Sequence, residues 1–533
     1  MSSAFPPPAR PDGLAALYAR PLPWLLLLAA AHVAVRVAIS PSLQWDEAQQ
    51  ILWSQDLALG YGPQPPLYTW LQWGVEQWLG PSVLALALLK HALMALVCVF
   101  AWLAARELMG RRAAWWAAAG VWLMPPFGWD SVNDRTHTVL ITAMVFAAWW
   151  LLLRIVRLGG QGCRREFAAL GLVCGCGMLA KYNFALVLAA FAVALLPARG
   201  PRRALFGPGW WWAALIGLAL FAPHGGWLLG HWREATAATV EKMQITPQSH
   251  WLAGLADLLT TTLGTLTLWA VFALAAFGSA WWRRPAGPAQ VISDGNGAQR
   301  PTLDAQRPAA PPPWLGPAFG RYLALMAAAL LFMVLAENVT AFRNYWVLPL
   351  VAPVPLMAFA LRPRLDADPR GWRLTGLTLA VIALVLMAAA TRSWRVDIDG
   401  KVQPANYPAL ELAQALREAG YDGRGRIIAS DNLLAGILHT RFPAARAVDC
   451  GPKQGDVAAC VTANAEQAER AGQGWLLISF AGKTEPDWWP DALASPIFAN
   501  GAPPPRRHLL LAYRLARPGH APASYDFIWR PAP

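Results

Sequence analysis

Apolar runs of roughly 17–25 residues recur along this chain as far as about residue 391, and no other feature limits its fold so strongly. A run of that length crosses about 30 Å of hydrocarbon as a helix. In lipid each backbone N–H and C=O must be satisfied without water, which leaves helices and closed barrels as spanning structures. About eleven spans are expected, at roughly 23–40, 82–105, 113–128, 137–157, 167–181, 183–198, 209–230, 253–281, 318–337, 345–361 and 373–391. Pro and Gly interrupt several, notably the third, fifth and sixth. The chain is 56% hydrophobic and only 14% charged, which excludes an ordinary soluble protein.

The net charge of +13 does not form a basic stripe, so nucleic acid is excluded as a partner. The arginines cluster in alternate loops: Arg106, Arg111 and Arg112; Arg154, Arg157, Arg164 and Arg165; Arg199, Arg202 and Arg203; Arg283 and Arg284; Arg362, Arg364, Arg370 and Arg373. Residues 41–81, by contrast, hold no Lys or Arg. The positive-inside rule then places the N-terminus in the cytoplasm and the 41–81 loop outside. With an odd number of spans, the tail is also outside. These signs point to a multi-pass protein of a bacterial inner membrane with a periplasmic tail. The Pro-rich start has no A-x-A cleavage site and reads as leading into a retained anchor. Trp24, Trp78, Trp115, Trp210 and Trp281 lie near run ends, where an interfacial belt is expected.

Two domains are expected: a multispanning domain over 1–391 and an α/β domain over 392–533. Residues 285–317 read as a cytoplasmic linker. The tail mixes an amphipathic helix pattern, Tyr407–Ala419, with short strand-like runs at 426–430, 475–480 and 509–515. Cys450 and Cys460 are the cysteines on the oxidising side, and a disulfide between them is expected.

The 41–81 loop is long enough to carry function. Amphipathic helices are expected over Ala48–Leu59 and Pro66–Leu79, with Trp53, Leu57, Leu67, Trp70, Leu71 and Trp78 available to the interface. Ahead of them stand Asp46 and Glu47. Adjacent residues on a helix do not share a face, so one carboxylate can do chemistry while the other orients the loop. The structural alternative is Asp46 as N-cap of a helix starting near Ala48. The loop itself offers no cation that would lower the proton affinity of Asp46.

A second external loop carries Asp130 and Asp134. Ionisable groups in or beside spans are costly and are functional candidates: Arg36, Lys90 and His91, Lys181 with Tyr182, and Arg343 with Tyr345. For Arg36 and Lys90 snorkelling to the interface is the competing reading. Arg343 is the first candidate for binding phosphate and Lys181 the second. His231, Arg233, Glu241 and His250 lie in a further external loop and could shape an acceptor pocket. No HExxH or CxxC occurs, so a structural metal is not expected. Mg²⁺, which binds through carboxylates plus phosphate oxygens, is compatible with these residues. The glycines of GLVCGCG, 171–177, lie inside a span and suit close helix packing rather than a nucleotide loop.

Taken in order, WDE at 45–47, PQPPLYTWL at 63–71, VNDRTHTVL at 132–140, GMLAKYNFALVL at 177–188 and FRNYWVLPLVAPVPLMAFAL at 342–361 resemble the polyprenyl-phosphate-sugar glycosyltransferases. That family includes the protein O-mannosyltransferases and the lipid A aminoarabinose transferases, and the resemblance covers roughly residues 22–361. It implies a GT-C fold and inverting transfer of a sugar from a polyprenyl-phosphate donor at the external face. The acceptor would be lipid A or core, another envelope glycan, a lipid or a protein. It also implies Asp46 as catalytic base with Glu47 beside it, and Asp134 as a second loop acid. Arg343, Lys181 and Tyr345 are then expected at the donor phosphate, and Tyr68, Tyr182 and His231 in the substrate pocket. One position departs: Gln64 stands where the aminoarabinose transferases carry a Lys before two prolines. Two other classes compete. A transporter or flippase of lipid-linked sugars would show paired halves with matched helix breaks, which are not evident. A non-catalytic assembly protein would not need Asp46.

Overall fold

The computed structural model describes residues 13–243, 250–282, 311–395, 402–480, 488–499, 504–515 and 519–532. Residues 285–310 of the expected linker, with Arg283 and Arg284, lie outside the described residues.

The membrane domain begins with α1 (Gly13–Ala19) and α2 (Pro21–Ile39). The first loop follows with α3 (Trp45–Trp53) and α4 (Leu67–Leu79). Next come α5 (Val83–Arg106), α6 (Arg111–Ala119), α7 (His137–Arg157), α8 (Arg164–Ala180), α9 (Phe184–Leu195) and α10 (Arg199–Leu205). The remainder is α11 (Trp210–Gly230), α12 (Trp232–Glu241), α13 (Trp251–Phe277), α14 (Leu315–Leu335), α15 (Asn344–Val351), α16 (Val354–Ala360) and α17 (Gly371–Thr391).

Among the described residues, seven helices are long and apolar enough to cross a membrane. The runs at 113–128, 167–181, 183–198 and 345–361 fold as helix but fall short of that length. The third is regular helix only to Ala119; it tightens into a 3-10 turn over Gly120–Leu123 and, past Pro125, becomes a π turn over Pro126–Ser131. The tenth splits into α15 and α16 around Pro349, Pro353 and Pro355, which have no N–H to donate. The fifth and sixth are separated at Lys181, whose extended backbone stops α8.

Packing explains the glycines of the fifth run. A Cβ at Gly171 would lie 2.6 Å from the Ala213 carbonyl oxygen of α11, and one at Gly175 would lie 2.8 Å from Leu220 Cβ. Small residues thus let α8 and α11 run in close contact. The aromatic belt is only partly as expected. Trp24, Trp78 and Trp210 are exposed on the protein surface, but Trp115 and Trp281 are buried in the helix core. Trp281 packs edge-on to Phe359, so its position near a run end serves packing.

The tail folds as α18 (Ala409–Glu418), β1 (Gly425–Ala429), α19 (Asn432–Arg441), β2 (Ala445–Asp449), α20 (Val457–Arg470), β3 (Trp475–Phe480), α21 (Trp488–Leu493), β4 (Arg507–Leu511) and β5 (Ala523–Arg530). The strands make one sheet in the order β2-β1-β3-β5-β4. The first three are parallel, and β5 is antiparallel to both β3 and β4. Strands β2 and β5 were not expected from sequence. Their apolar alternation is diluted by Arg446, Asp449, Asp526 and Arg530. Cys450 and Cys460 are joined by a disulfide between the end of β2 and α20, with Cα atoms 5.6 Å apart.

This tail does not stand apart from the membrane domain. Leu43, Ala48, Ile51, Val83 and Leu86 share one core with Leu433, Leu434, Ile437 and Leu438 of α19. Helix α19 lies so close to α3 that a Cβ at Gly436 would sit 2.8 Å from Ala48 Cα. Gln55 pairs with both backbone groups of Ala447 on the outer edge of β2, at 2.9 and 3.0 Å. An Arg446–Asp56 ion pair, the Ser40 hydroxyl on the Ala405 carbonyl and Arg514 on the Ile39 carbonyl complete the joint. The loop helix α3 is therefore covered by the tail instead of lying free in the interface.

Candidate active site

Helix α3 starts three residues earlier than its pattern suggests. Gln44 is its N-cap, and the Glu47 carboxylate accepts the Gln44 backbone N–H at 3.0 Å. Asp46 therefore sits inside the first turn and is not the cap. Glu47 is almost fully buried. Arg36 grips it with two bonds, Nε to Oε1 at 3.1 Å and Nη2 to Oε2 at 2.5 Å, and Lys90 Nζ lies 3.3 Å from Oε1. Arg36 also donates to the Ser40 and Ser42 carbonyls at 3.0 and 2.7 Å. Burial would push the Glu47 carboxyl up, but Arg36 and Lys90 overcome it and hold the carboxyl well below its ordinary value. Neither cation is snorkelling; both turn inward to this carboxylate.

Asp46 is held differently. Its backbone N–H donates to Asp134 Oδ1 at 3.0 Å. Its side chain is 31% exposed and has one distant ionic neighbour, Arg135 Nη1 at 3.9 Å from Oδ1. The expectation of a cation-free environment is thus corrected: the loop has no cation, but the second external loop brings one. Desolvation by the surrounding chain, then the Asp134 charge, push the Asp46 carboxyl up, against Arg135, Lys90 and Lys181. Asp134 is pushed up in turn by burial and by Glu47. Two neighbouring carboxylates therefore resist losing both protons at once.

Tyr345, near the start of α15, joins the cations to this pair. The Arg135 guanidinium lies over its ring at 4.5 Å and Lys181 Nζ at 4.9 Å. Lys181 also donates to Thr138 Oγ1 at 3.2 Å. Arg343, the N-cap of α15, is exposed two residues away. Asp130 leaves the cluster; it accepts the Asn344 amide at 2.6 Å and so anchors the turn that starts α15.

The other expected pocket residues divide. Tyr68 is buried beside His137, with ring centres 5.2 Å apart, and its hydroxyl has no hydrogen-bond partner. Tyr182 stacks on His224 at 5.8 Å, also with an unpartnered buried hydroxyl. His231 is exposed and stacks on Trp227 at 4.6 Å, at the far end of the ladder Tyr182–His224–Trp227–His231. Among the described residues no contact ties His231 to the carboxylates. Arg233, Glu241 and His250 make no contact with the carboxylate cluster in the structure. Among the described residues no group of three or more His, Cys, Asp and Glu could hold a metal. Mg²⁺ wants about six oxygen ligands. One or two carboxylates, with phosphate oxygens and water, commonly supply those ligands; here Asp46 and Asp134 are the neighbouring carboxylates, with the Arg135 guanidinium 3.9 Å from Asp46.

Helices α7, α8, α9 and α11 border an open apolar cavity of about 560 Å³, lined by residues such as Phe167, Leu170, Cys174, Met178 and Phe221. Lys181 caps the same helix α8. Sequence reading did not identify Arg135, or Asn133, which ties Arg392 (2.5 Å) and Lys90 (3.4 Å) to the Asp134 turn. The sequence signal for Arg135 was present: it is a cation immediately after the loop acid.

Helices of this arrangement, an acidic first loop folded back on the bundle and a capping α/β tail make a GT-C membrane glycosyltransferase. Residues 63–227 match the family described as Dolichyl-phosphate-mannose-protein mannosyltransferase. Lipopolysaccharide core galacturonosyltransferase RgtA of Rhizobium johnstonii is 30% identical over 429 residues, 78% of this chain and 80% of its own. RgtB of the same organism, another lipopolysaccharide core galacturonosyltransferase, is 28% identical over 435 residues, 80% of this chain and 82% of its own. The crystal structure of ArnT from Cupriavidus metallidurans bound to undecaprenyl phosphate superposes with a TM-score of 0.53, over 95% of this chain and 98% of that one, at 12% identity. The chain belongs to the family of polyprenyl-phosphate-sugar glycosyltransferases that includes RgtA and RgtB. That relationship decides for an enzyme over the transporter and assembly readings.

Proposed function

We propose that this enzyme transfers a uronic acid, of the galacturonic type, from a polyprenyl-phosphate donor to a lipopolysaccharide-like envelope glycan at the periplasmic face of the inner membrane. The sugar and acceptor classes rest on the two relatives covering most of the chain. The observation that carries the mechanism is the different treatment of two adjacent carboxylates. Glu47 is locked by Arg36 and Lys90, while Asp46 is partly exposed, raised in proton affinity and loosely held.

Asp46 then acts as general base on the acceptor hydroxyl. Asp134 positions it through the Asp46 backbone N–H and its own charge. The acceptor oxygen attacks the anomeric carbon, the bond from that carbon to the phosphate oxygen breaks, and the product is inverted. Lys181, Arg343 and the Tyr345 hydroxyl receive the departing phosphate. Tyr68 and Tyr182, with unpartnered hydroxyls, offer hydrogen bonds to sugar, and His231 stands on the outer approach for the acceptor. The isoprenoid tail fits the apolar cavity under Lys181. The proton taken by Asp46 leaves to the periplasm.

The test is release of free polyprenyl phosphate by purified protein given polyprenyl-phosphate sugars and lipopolysaccharide core. Wild type should release it, and Asp46→Asn should not while remaining folded. Equal release by both removes Asp46 as base.

A further inference from the structure

We infer that Arg135 is the specificity residue for the acidic sugar, holding its carboxylate beside the base. This rests on the proposed uronosyl donor and assigns a role to a residue placed only by tertiary structure.

The first argument is charge. A polyprenyl-phosphate sugar is a phosphodiester with one negative charge. Arg135 and Lys181 lie over the Tyr345 ring, and Arg343 stands two residues before it at the start of α15. The phosphate gains a second charge as its bond to the sugar breaks, and Lys181 and Arg343 suffice for it, which leaves Arg135 over. A uronosyl donor adds a further negative charge on the sugar itself and matches the full set better.

The second argument is position. In an inverting displacement the base stands on the face of the sugar opposite the leaving group. Arg135 is the cation nearest the base, 3.9 Å from Asp46 Oδ1, and shares the Tyr345 ring with Lys181, so it stands between the base and the phosphate cations, where the sugar would lie. Among the described residues Lys181 forms no ion pair; it rests on Thr138 Oγ1 and the Tyr345 ring, and its charge is left for the phosphate.

The third argument is valence. Among the described residues Arg135 Nε is buried without any hydrogen-bond partner. Its only ion pair, to Asp46, is at the long limit. The ring of Tyr345 fixes the guanidinium plane without occupying its N–H groups. A guanidinium held by stacking with unused N–H donors is matched to a carboxylate, which it binds through two parallel bonds.

The experiment measures kcat/KM for two donors, polyprenyl-phosphate galacturonic acid and polyprenyl-phosphate galactose, with the full-length wild type, Arg135→Gln and Arg135→Lys. Lipopolysaccharide core is the acceptor and released polyprenyl phosphate the readout. The quantity of interest is the uronosyl-to-hexosyl ratio. Removing Arg135 also changes the charge felt by Asp46, but that affects both donors alike and cancels. The expected ratio falls about 10- to 100-fold in Arg135→Gln, the size of a lost charged hydrogen-bond pair, and by less in Arg135→Lys. An unchanged ratio overturns the assignment, whatever happens to the absolute rates. A loss confined to acceptor KM gives Arg135 to the acceptor and also overturns it. If Arg135→Gln fails to fold, Arg135→Lys decides, because it keeps the charge but not the fork. Wild type active on galactosyl donor alone refutes the sugar class and the inference with it, leaving the transferase reading standing. Activity on neither donor refutes the proposed function itself.

Discussion

Replacing Glu47 by Gln strands two buried cations. Among the described residues Glu47 is the one carboxylate within ion-pair distance of either Arg36 or Lys90, and the side chains of Glu47 and Lys90 are each 1% exposed. Gln preserves the shape and can still accept a bond, so the substitution isolates charge. Removing one partner of a buried ion pair costs about 3–5 kcal/mol, because the remaining charge stays in a poor solvent. A Coulomb estimate agrees in scale: two charges about 4 Å apart interact with about 4 kcal/mol at an effective dielectric of about 20. The measurement is thermal unfolding of the detergent-solubilised protein by tryptophan fluorescence, for Glu47→Gln, Lys90→Met and the double variant. Glu47→Gln should be strongly destabilised. The double variant should be more stable than the sum of the two losses, since Lys90→Met removes one of the stranded charges. A Glu47→Gln protein as stable as wild type, or strict additivity, refutes the reasoning that this trio is a closed electrostatic unit.

Asp46→Asn should lower turnover by about 10²–10⁴-fold, the range of a lost general base, with the melting profile unchanged. The kcat/KM of wild type should rise with pH through a value above the ordinary carboxylate range, because the base must be ionised and its surroundings raise it. Asp134→Asn, by removing the second charge, should move that limb to lower pH. The Glu47 carboxyl is depressed in the fold, so its contribution to stability is complete above its unfolded value, about 4.3, and is lost as pH falls below that toward the folded value; acid unfolding of wild type against Glu47→Gln reads it. Gly436→Val should separate α19 from α3 and cost about 1–3 kcal/mol by overpacking, seen as faster proteolysis within the tail. Cys450→Ser should destabilise the tail by about 2–3 kcal/mol through loss of a short closed loop, with unfolding of the tail as readout.

The class of fold was legible because length and composition act locally. A long apolar run must be a helix in lipid wherever it lies in the chain, and the arginine asymmetry needs no partner to be read. The ordered short motifs pointed to Asp46, Asp134, Lys181 and Tyr345 for a similar reason: each stands beside a recognisable helix end. The split of the tenth run at Pro349, Pro353 and Pro355 was not anticipated: 345–361 was expected as one span.

What each of two neighbouring carboxylates does was decided by tertiary structure alone. Asp46 and Glu47 differ little as residues. The helix start at Gln44 turns Glu47 inward to Arg36 of α2 and Lys90 of α5, and leaves Asp46 facing Asp134 and Arg135 from another loop. Those partners are separated from the pair by about ten to ninety residues. The docking of the tail on α3 was hidden for the same reason, since Ala48 and Gly436 carry no sign in their own neighbourhoods that they meet. Periodicity and hydropathy report how a segment faces its solvent. They do not report which distant charge will reach it, and electrostatic roles depend on that distance.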